Sequence, residues 1–393
     1  MNSLFEQLIV DFHERKLPDM TERLAVIPWL PQKVDAIIGM RRTGKTWFLY
    51  QVMKRLIDEG KPRESILYLN FEDERLLPIT TADLARIPET FFRLFPDLKA
   101  RECAFFFDEI HNVPGWDRFI RRLVDTENVH ICVTGSSAKL LSREIATTLR
   151  GRSISTEMFP FSFQESLDHH GLEKPSGIRP GSELRARLSH HLRQYLVCGG
   201  FPEVQDLDEN YRRRILQDYL DVVILRDIVE RHGVTNTVAL RNLIRHLLNS
   251  PSCLFSVNKF YNDLRSRGVA VSKDTLHNML EHLSDAYLFF PVTIYSNSER
   301  QKQVNPRKVY PIDPGLAYAC GPPGNRDLGH LLETFVFLQL RRQGYDIHYY
   351  RTRSGREVDF ITRNSDGQQG LIQVCADMSV KTTRDREIKA LQE

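Results

Sequence analysis

Gly39, Met40, Arg41, Arg42, Thr43, Gly44, Lys45 and Thr46 can grip a polyphosphate, because they match G-x-x-x-x-G-K-[ST] at every required position. Each residue type has a task. The two glycines let the backbone curl until successive N–H groups face phosphate oxygens. A helix starting near Lys45 presents its positive N-terminal end to the same oxygens. The Lys45 ammonium suits β- and γ-phosphate charge, and the Thr46 hydroxyl suits a Mg2+ ion. The nucleotide-binding run is read as these eight residues together with Trp47.

A second group of residues can complete hydrolysis. The run CAFFFDEI is apolar until Asp108 and Glu109. Two carboxylates at the end of a buried strand are costly without a cation to meet them. Asp108 is expected to hold Mg2+, directly or through water, and Glu109 to orient and deprotonate an attacking water. The next apolar run, HICVTGSS, ends in Thr134, Ser136 and Ser137, hydroxyls suited to sensing a γ-phosphate or simply to a polar turn. Arg150 and Arg152 in LRGRS fit either an arginine offered to a neighbouring subunit's γ-phosphate or ordinary surface charge.

These side chains need a scaffold of parallel strands. VDAIIG, SILYLNF, CAFFFDE, HICVTG and SISTEMF are short apolar runs bounded by polar or turn residues. Nearly continuous apolar character marks strands buried on both faces. Helical patterns at 44–58, 81–94, 115–126 and 137–148 separate them, which predicts an α/β three-layer domain. A Pro/Gly/Ser-rich stretch at 173–182 then punctuates the chain, and helical patterns follow at 182–197, 209–231 and 236–249.

Over 256–318 the order is helix, turn, helix and hairpin, the order of a winged helix. Ser272 is placed as an N-cap, with Leu276, Met279, Leu280 and Leu283 on one face of the helix after it. A polar, basic loop at 297–308 is expected between the two hairpin strands. A helix beginning near residue 328 and three strand-like runs, IHYYRT, EVDFITR and GLIQVCA, close the chain.

Composition sets outer bounds. The chain has 393 residues, 41% hydrophobic and 27% charged, with a net charge of +3. That is the make-up of a multidomain globular protein, and any basic surface must come from local clustering. The six cysteines show no CxxC spacing, so neither a zinc site nor a disulfide framework is expected. Glu6, Asp11 and Glu14 interrupt the N-terminal segment, and no apolar run reaches membrane-spanning length. The expectation is a cytoplasmic protein with no membrane partner.

Several segments together resemble a known family: IIGMRRTGKTWFLYQ, FFFDEIHNVPGWDRFIRRL, VTGSSAKLLS, LRGRS and FPFSFQE. They resemble bacterial and archaeal AAA-type ATPases with an R-R-x-G-K-T P-loop and a C-terminal half of unknown function. YLVCGGFPEV, DYLDVVILRDIVER, YPIDPGL and LLETFVFLQL with EVDFI extend the resemblance over essentially the whole chain. It implies an AAA-type ATPase core (1–170), a helical region (180–250), a winged helix (251–320) and a module resembling PD-(D/E)xK nucleases (326–393). It also implies ATP and Mg2+ as ligands and a homo-oligomeric ring, a hexamer being favoured, with Arg150 or Arg152 acting in trans.

The terminal module departs from the nuclease pattern. Glu333, Asp359 and Gln373 fit its acidic positions, but Cys375 stands where a lysine is needed. A thiol supplies no fixed positive charge, so a degenerate nuclease fold is expected. Lys259, Arg265, Arg267 and Lys273 on the 256–285 helices, with Arg300, Lys302, Arg307 and Lys308 in the loop, suit contacts to DNA phosphates. The expected function is a Mg2+-dependent ATPase that moves or clamps DNA. A switch acting on a protein partner and an ATP-dependent nuclease are the alternatives.

Overall fold

The computed structural model describes residues 1–136, 151–174, 181–321 and 327–393. The chain forms two compact units, Met1–Met158 and Phe159–Glu393. The candidate helix at 137–148, Ser137 and Arg150 lie outside the described residues.

In the first unit the five apolar runs are strands: β1 (Val34–Ile38), β2 (Ile66–Asn70), β3 (Cys103–Asp108), β4 (Val129–Gly135) and β5 (Ser153–Glu157). They form one parallel sheet in the order β2-β3-β4-β1-β5. Every residue of β1 and β3 is buried, whereas β5 at the edge is half-buried and carries the most polar run. This order puts β4 between β1 and β3. Because all strands run the same way, the residues after Ile38, Phe107 and Val133 emerge at one edge of the sheet.

Helices cover this sheet through apolar faces of helical period. In α2 (Lys45–Asp58), the helix that follows α1 (Asn2–Glu14), the face is Phe48, Leu49, Val52, Met53 and Leu56. Segment 81–94 is not one helix as expected but two, Thr81–Leu84 and Arg86–Leu94. Pro88 is the physical reason: it has no N–H to donate to the Leu84 carbonyl, where a continuous helix needs one. A helix over Asn2–Glu14 was not expected; Phe5, Leu8, Ile9 and Phe12 recur at helical spacing and are buried. Phe91, Phe105, Phe107 and Phe119 pack ring against ring beside β3. Truncating one such phenylalanine to alanine costs about 3–5 kcal/mol.

The second unit begins with helices Phe163–His169, Ser182–Cys198, Glu209–Val222 and Thr237–Asn249. The pattern at 209–231 is α-helical only to Val222, and Val223–Glu230 is wound as a π-helix. Buried Asp313 binds two backbone N–H groups, of Gly200 at 2.7 Å and Leu316 at 2.9 Å. Burial pushes its carboxyl up to about 6. Gly315 is needed here, since a Cβ would lie 2.3 Å from the Gly199 nitrogen.

Helix Val257–Ser266 follows, then helix Lys273–Asp285, where the Ser272 hydroxyl accepts the Thr275 N–H as expected. Leu276, Met279, Leu280 and Leu283 are all buried. Strands β6 (Leu254–Phe255), β7 (Phe289–Val292) and β8 (Arg307–Pro311) form an antiparallel sheet in the order β6-β8-β7. The segment 297–308 is not an open basic loop. It holds a short helix, Glu299–Val304, capped by Ser298, and its last residue, Lys308, is a buried member of β8. Helix Leu328–Arg342 leads into a second antiparallel sheet, β11-β10-β9, made of β9 (Asp346–Arg351), β10 (Glu357–Arg363) and β11 (Gln369–Ile372). Strand β11 stops before Gln373 and Cys375, and helix Lys381–Gln392 ends the chain. No described helix is long and apolar enough to cross a membrane.

Candidate active site

The phosphate loop begins where β1 leaves the core. Gly39 is fixed by crowding, since a Cβ there would lie 2.2 Å from the Met158 carbonyl oxygen. Gly44 sits in left-handed backbone (φ 93°, ψ 25°) at the start of α2, a conformation that favours glycine. Inside the loop, the Thr43 hydroxyl donates to the Met40 carbonyl at 3.0 Å. The Arg23 guanidinium, supplied by a segment ahead of β1, donates to the Thr43 carbonyl at 2.8 Å. Met40 is fully buried, Arg41 pairs with Glu72 at 2.7 Å, and Trp47 is half-exposed against Tyr50. Arg42 adopts left-handed backbone (φ 66°), which costs a non-glycine residue about 1 kcal/mol or more.

Lys45 is nearly buried. Its ammonium donates to the Gly39 and Met40 carbonyls, each at 3.1 Å, and lies 3.4 Å from the Glu109 carboxylate. Thr46 donates its hydroxyl to Asp108 Oδ2 at 2.7 Å. The loop from β1 and the acid pair from β3 are thus one site.

Asp108 is fully buried, the last residue of β3. Its Oδ2 also accepts the Tyr68 hydroxyl at 3.1 Å, and its Oδ1 accepts the Thr134 hydroxyl at 2.5 Å. Burial, and after it the negative charge of Glu109, push the Asp108 carboxyl up to about 6, against the pull of the Thr134 and Thr46 hydrogen bonds and of Lys45. Burial and the Asp108 charge hold the Tyr68 phenol well above its ordinary range. The Thr134 oxygen, while donating to Asp108, accepts the Glu109 N–H at 2.8 Å. This bond helps to hold Glu109 in left-handed backbone (φ 52°, ψ 37°), a conformation costing about 1–3 kcal/mol. The twist turns Glu109 off the strand line, placing one carboxylate oxygen near Lys45 and the other 3.3 Å from His111 Nδ1.

The structure therefore brings Lys45, Thr46, Asp108, Glu109 and Thr134 together. Ser136 is buried just beyond the end of β4. Arg152 lies at the other end of the sheet: its carbonyl accepts the Val34 N–H at 2.8 Å, and its guanidinium pairs with Asp125. Five residues of β1 separate that level from Gly39, about 16 Å at strand rise. Tyr68, His111 and Arg23 join the site without having been expected. His111 was findable, two residues after Glu109, but nothing local marks Tyr68 or Arg23.

In the second unit Glu333 and Asp359 do converge, but Gln373 does not join them as a ligand. Its amide oxygen accepts the Asp359 N–H at 3.2 Å and its amide nitrogen donates to Glu387 at 2.7 Å. The Cys375 thiol donates to the Asp377 carbonyl at 3.2 Å. The cation beside the acids is Lys308, which the sequence placed in the basic loop. Its ammonium lies 2.8 Å from Glu333, 2.9 Å from Asp359 and 2.8 Å from Glu357. Burial works to lower the Lys308 pKa, yet the three carboxylates hold it above the ordinary lysine range.

Comparison with known proteins agrees with this core. An AAA domain matches residues 31–167, and two domains of unknown function, DUF8612 and DUF4143, match 189–325 and 328–393. The chain is 36% identical to uncharacterized protein MJ1544 of Methanocaldococcus jannaschii, over 99% of this chain and 85% of that protein. It is 32% identical to an uncharacterized protein of Haemophilus influenzae, over 85% of this chain and 80% of that one. Among solved structures it is similar to the Aeropyrum pernix ORC2 protein in its ADP form, with 11% identity, 79% and 88% of the two chains covered, and a TM-score of 0.35. The Aeropyrum pernix ORC1 protein in complex with DNA gives 12% identity, 86% and 91% coverage, and a TM-score of 0.31. Likeness that slight carries no argument about ligands. The sheet order, the phosphate loop and the match to MJ1544 lead to one conclusion: the chain has a P-loop AAA-type α/β core and belongs to the family of the Methanocaldococcus jannaschii protein MJ1544.

Proposed function

We propose that this chain is a Mg2+-dependent ATP hydrolase. The observation that carries the reading is the convergence of Lys45, Thr46, Asp108 and Glu109 at one edge of the β2-β3-β4-β1-β5 sheet. The loop backbone and Lys45 bind and neutralise the phosphates, and the Thr46 hydroxyl and Asp108 are the residues that would hold Mg2+. They fit that ion: a hydroxyl and a carboxylate lie 2.7 Å apart, and the carboxylate is buried where its charge is costly without a cation. When bound, Mg2+ supplies charge neutralisation at the phosphates. Glu109 accepts the proton of the attacking water, while Lys45 and His111 flank its carboxylate and Thr134 fixes its backbone.

We read the chain as a motor or clamp that acts on duplex or branched DNA. Lys259 and Arg265 on helix Val257–Ser266, Arg267 at its C-terminal cap and Lys273 at the start of helix Lys273–Asp285 are exposed in the 251–320 region, which we take as a winged helix. Net charge is only +3, so this patch rather than overall charge would bring in the phosphate backbone. The working form is read as a cytoplasmic homo-oligomeric ring, hexameric by preference, with Arg150 or the exposed Arg152 reaching a neighbour's nucleotide. The experiment is ATP turnover with and without single-stranded, duplex and branched DNA, paired with gel shift at low salt. Stimulation and retention support the DNA reading. Turnover indifferent to every DNA, with no shift, rejects it and leaves the hydrolase standing.

A further inference from the structure

The second unit contains a buried cluster of charge that ATP hydrolysis does not use. Lys308 is 2% exposed on β8; its ammonium donates to Glu333 at 2.8 Å and to Asp359 at 2.9 Å, and it pairs with the Glu357 carboxylate at 2.8 Å. Glu333 comes from helix Leu328–Arg342, and Glu357 and Asp359 come from β10. The oxygens of Glu333 and Asp359 are further engaged. Tyr310 donates to Glu333 Oε1 at 2.8 Å, Ser252 to Glu333 Oε2 at 3.0 Å, and the Val374 N–H to Asp359 Oδ2 at 2.9 Å.

A nuclease-type module would place a divalent cation between its helix and strand carboxylates, with a lysine on the next strand facing the phosphate. Here the next strand carries no such lysine, and Gln373 is turned to the Asp359 backbone and to Glu387. The point shared by Glu333 Oε1 and Asp359 Oδ1 is held by the Lys308 ammonium itself. A hard cation needs oxygen atoms at about 2.0–2.6 Å, and those two oxygens already close on a nitrogen that carries the same sign of charge. The residues present therefore do not fit a divalent ion.

We propose that Lys308 is a built-in replacement for that cation: its ammonium occupies the point where the Glu333, Asp359 and Glu357 carboxylates meet, ties β8 to the terminal module, and leaves the module unable to bind a divalent metal or to cut a phosphodiester. The role is that of a clamp within the second unit, and it holds whether or not the first unit hydrolyses ATP. Buried Lys308 is thereby withdrawn from any basic surface offered to DNA.

The test measures Mn2+ uptake by electron paramagnetic resonance on the full chain without nucleotide. Asp108→Asn is present in every protein, so that the phosphate site contributes nothing. The parent is expected to take up the same Mn2+ as a protein that also carries Asp359→Asn. Lys308→Met is expected to gain about one Mn2+ per chain, and Asp359→Asn added to it should remove that gain. Parent Mn2+ that disappears with Asp359→Asn would overturn the proposal, because metal and Lys308 would then coexist. A folded Lys308→Met that gains none would overturn it as well. Should Lys308→Met fail to fold, Glu357→Gln decides, its side chain being 31% exposed. Uptake equal to the parent supports the replacement, and a lost Mn2+ refutes it.

Discussion

Asp108→Asn should make the first unit more stable at neutral pH while destroying its function. Burial and the Glu109 charge raise the Asp108 carboxyl from an ordinary 3.8 to about 6. A folded pKa above the unfolded one means that the folded chain binds this proton more tightly. The contribution to stability is then fully present below about pH 4 and is lost as pH rises through about 6. The two values differ by about 2, and at about 1.4 kcal/mol for each, ionised Asp108 costs the folded chain about 3 kcal/mol at about pH 7.5. An asparagine carries no charge and can keep the Thr134 bond through its oxygen. Its nitrogen can donate to Thr46 and Tyr68 once their hydroxyls rotate. Guanidinium unfolding followed by tryptophan fluorescence reads the right unit, because all three tryptophans, Trp29, Trp47 and Trp116, lie in Met1–Met158. The variant should exceed the native chain by about 2–3 kcal/mol at about pH 7.5, with the gap closing toward pH 4. A variant less stable than the native chain at neutral pH, or a gap that does not change with pH, would refute the electrostatic account of this site.

Lys45→Met removes the ammonium that faces the loop carbonyls and Glu109, and ATP affinity should fall by about 100-fold or more in a fluorescent-nucleotide titration. Thr134→Val leaves the Glu109 N–H and one Asp108 oxygen without their shared partner. Stability should drop by about 1–3 kcal/mol, and kcat should fall more than KM rises. Gly39→Ala forces a methyl against the Met158 carbonyl, so nucleotide binding should be lost together with a fall in the thermal midpoint seen by tryptophan fluorescence.

The sequence made the core readable where the signal is local. Residues 39–46 carry a spacing that only a phosphate loop requires, and the burial of β1 and β3 follows from runs with no polar interruption. Asp108 and Glu109 were legible because charge at the end of such a run is abrupt. What escaped depends on contacts between distant residues. Tyr68 reaches Asp108 across 40 residues, and Arg23 reaches Thr43 across 20. Lys308 was grouped with the surface charge of its neighbours, since its partners lie 25 and 51 residues away. The break at Pro88 was visible in sequence but was overridden by the apolar period on either side of it. The end of β11 before Gln373 follows from a side chain bonding the neighbouring backbone, which composition does not announce.

The most direct test of the central claim is single-turnover ATP hydrolysis by the native chain and by Glu109→Gln, each with and without Mg2+. The account predicts Mg2+-dependent cleavage by the native chain. Glu109→Gln should bind ATP with comparable affinity and turn it over about 10²–10⁴-fold more slowly. Equal rates for the two proteins, or hydrolysis that persists when Mg2+ is chelated, would contradict the assignment of Glu109 as the base and of Asp108 with Thr46 as the metal-holding pair.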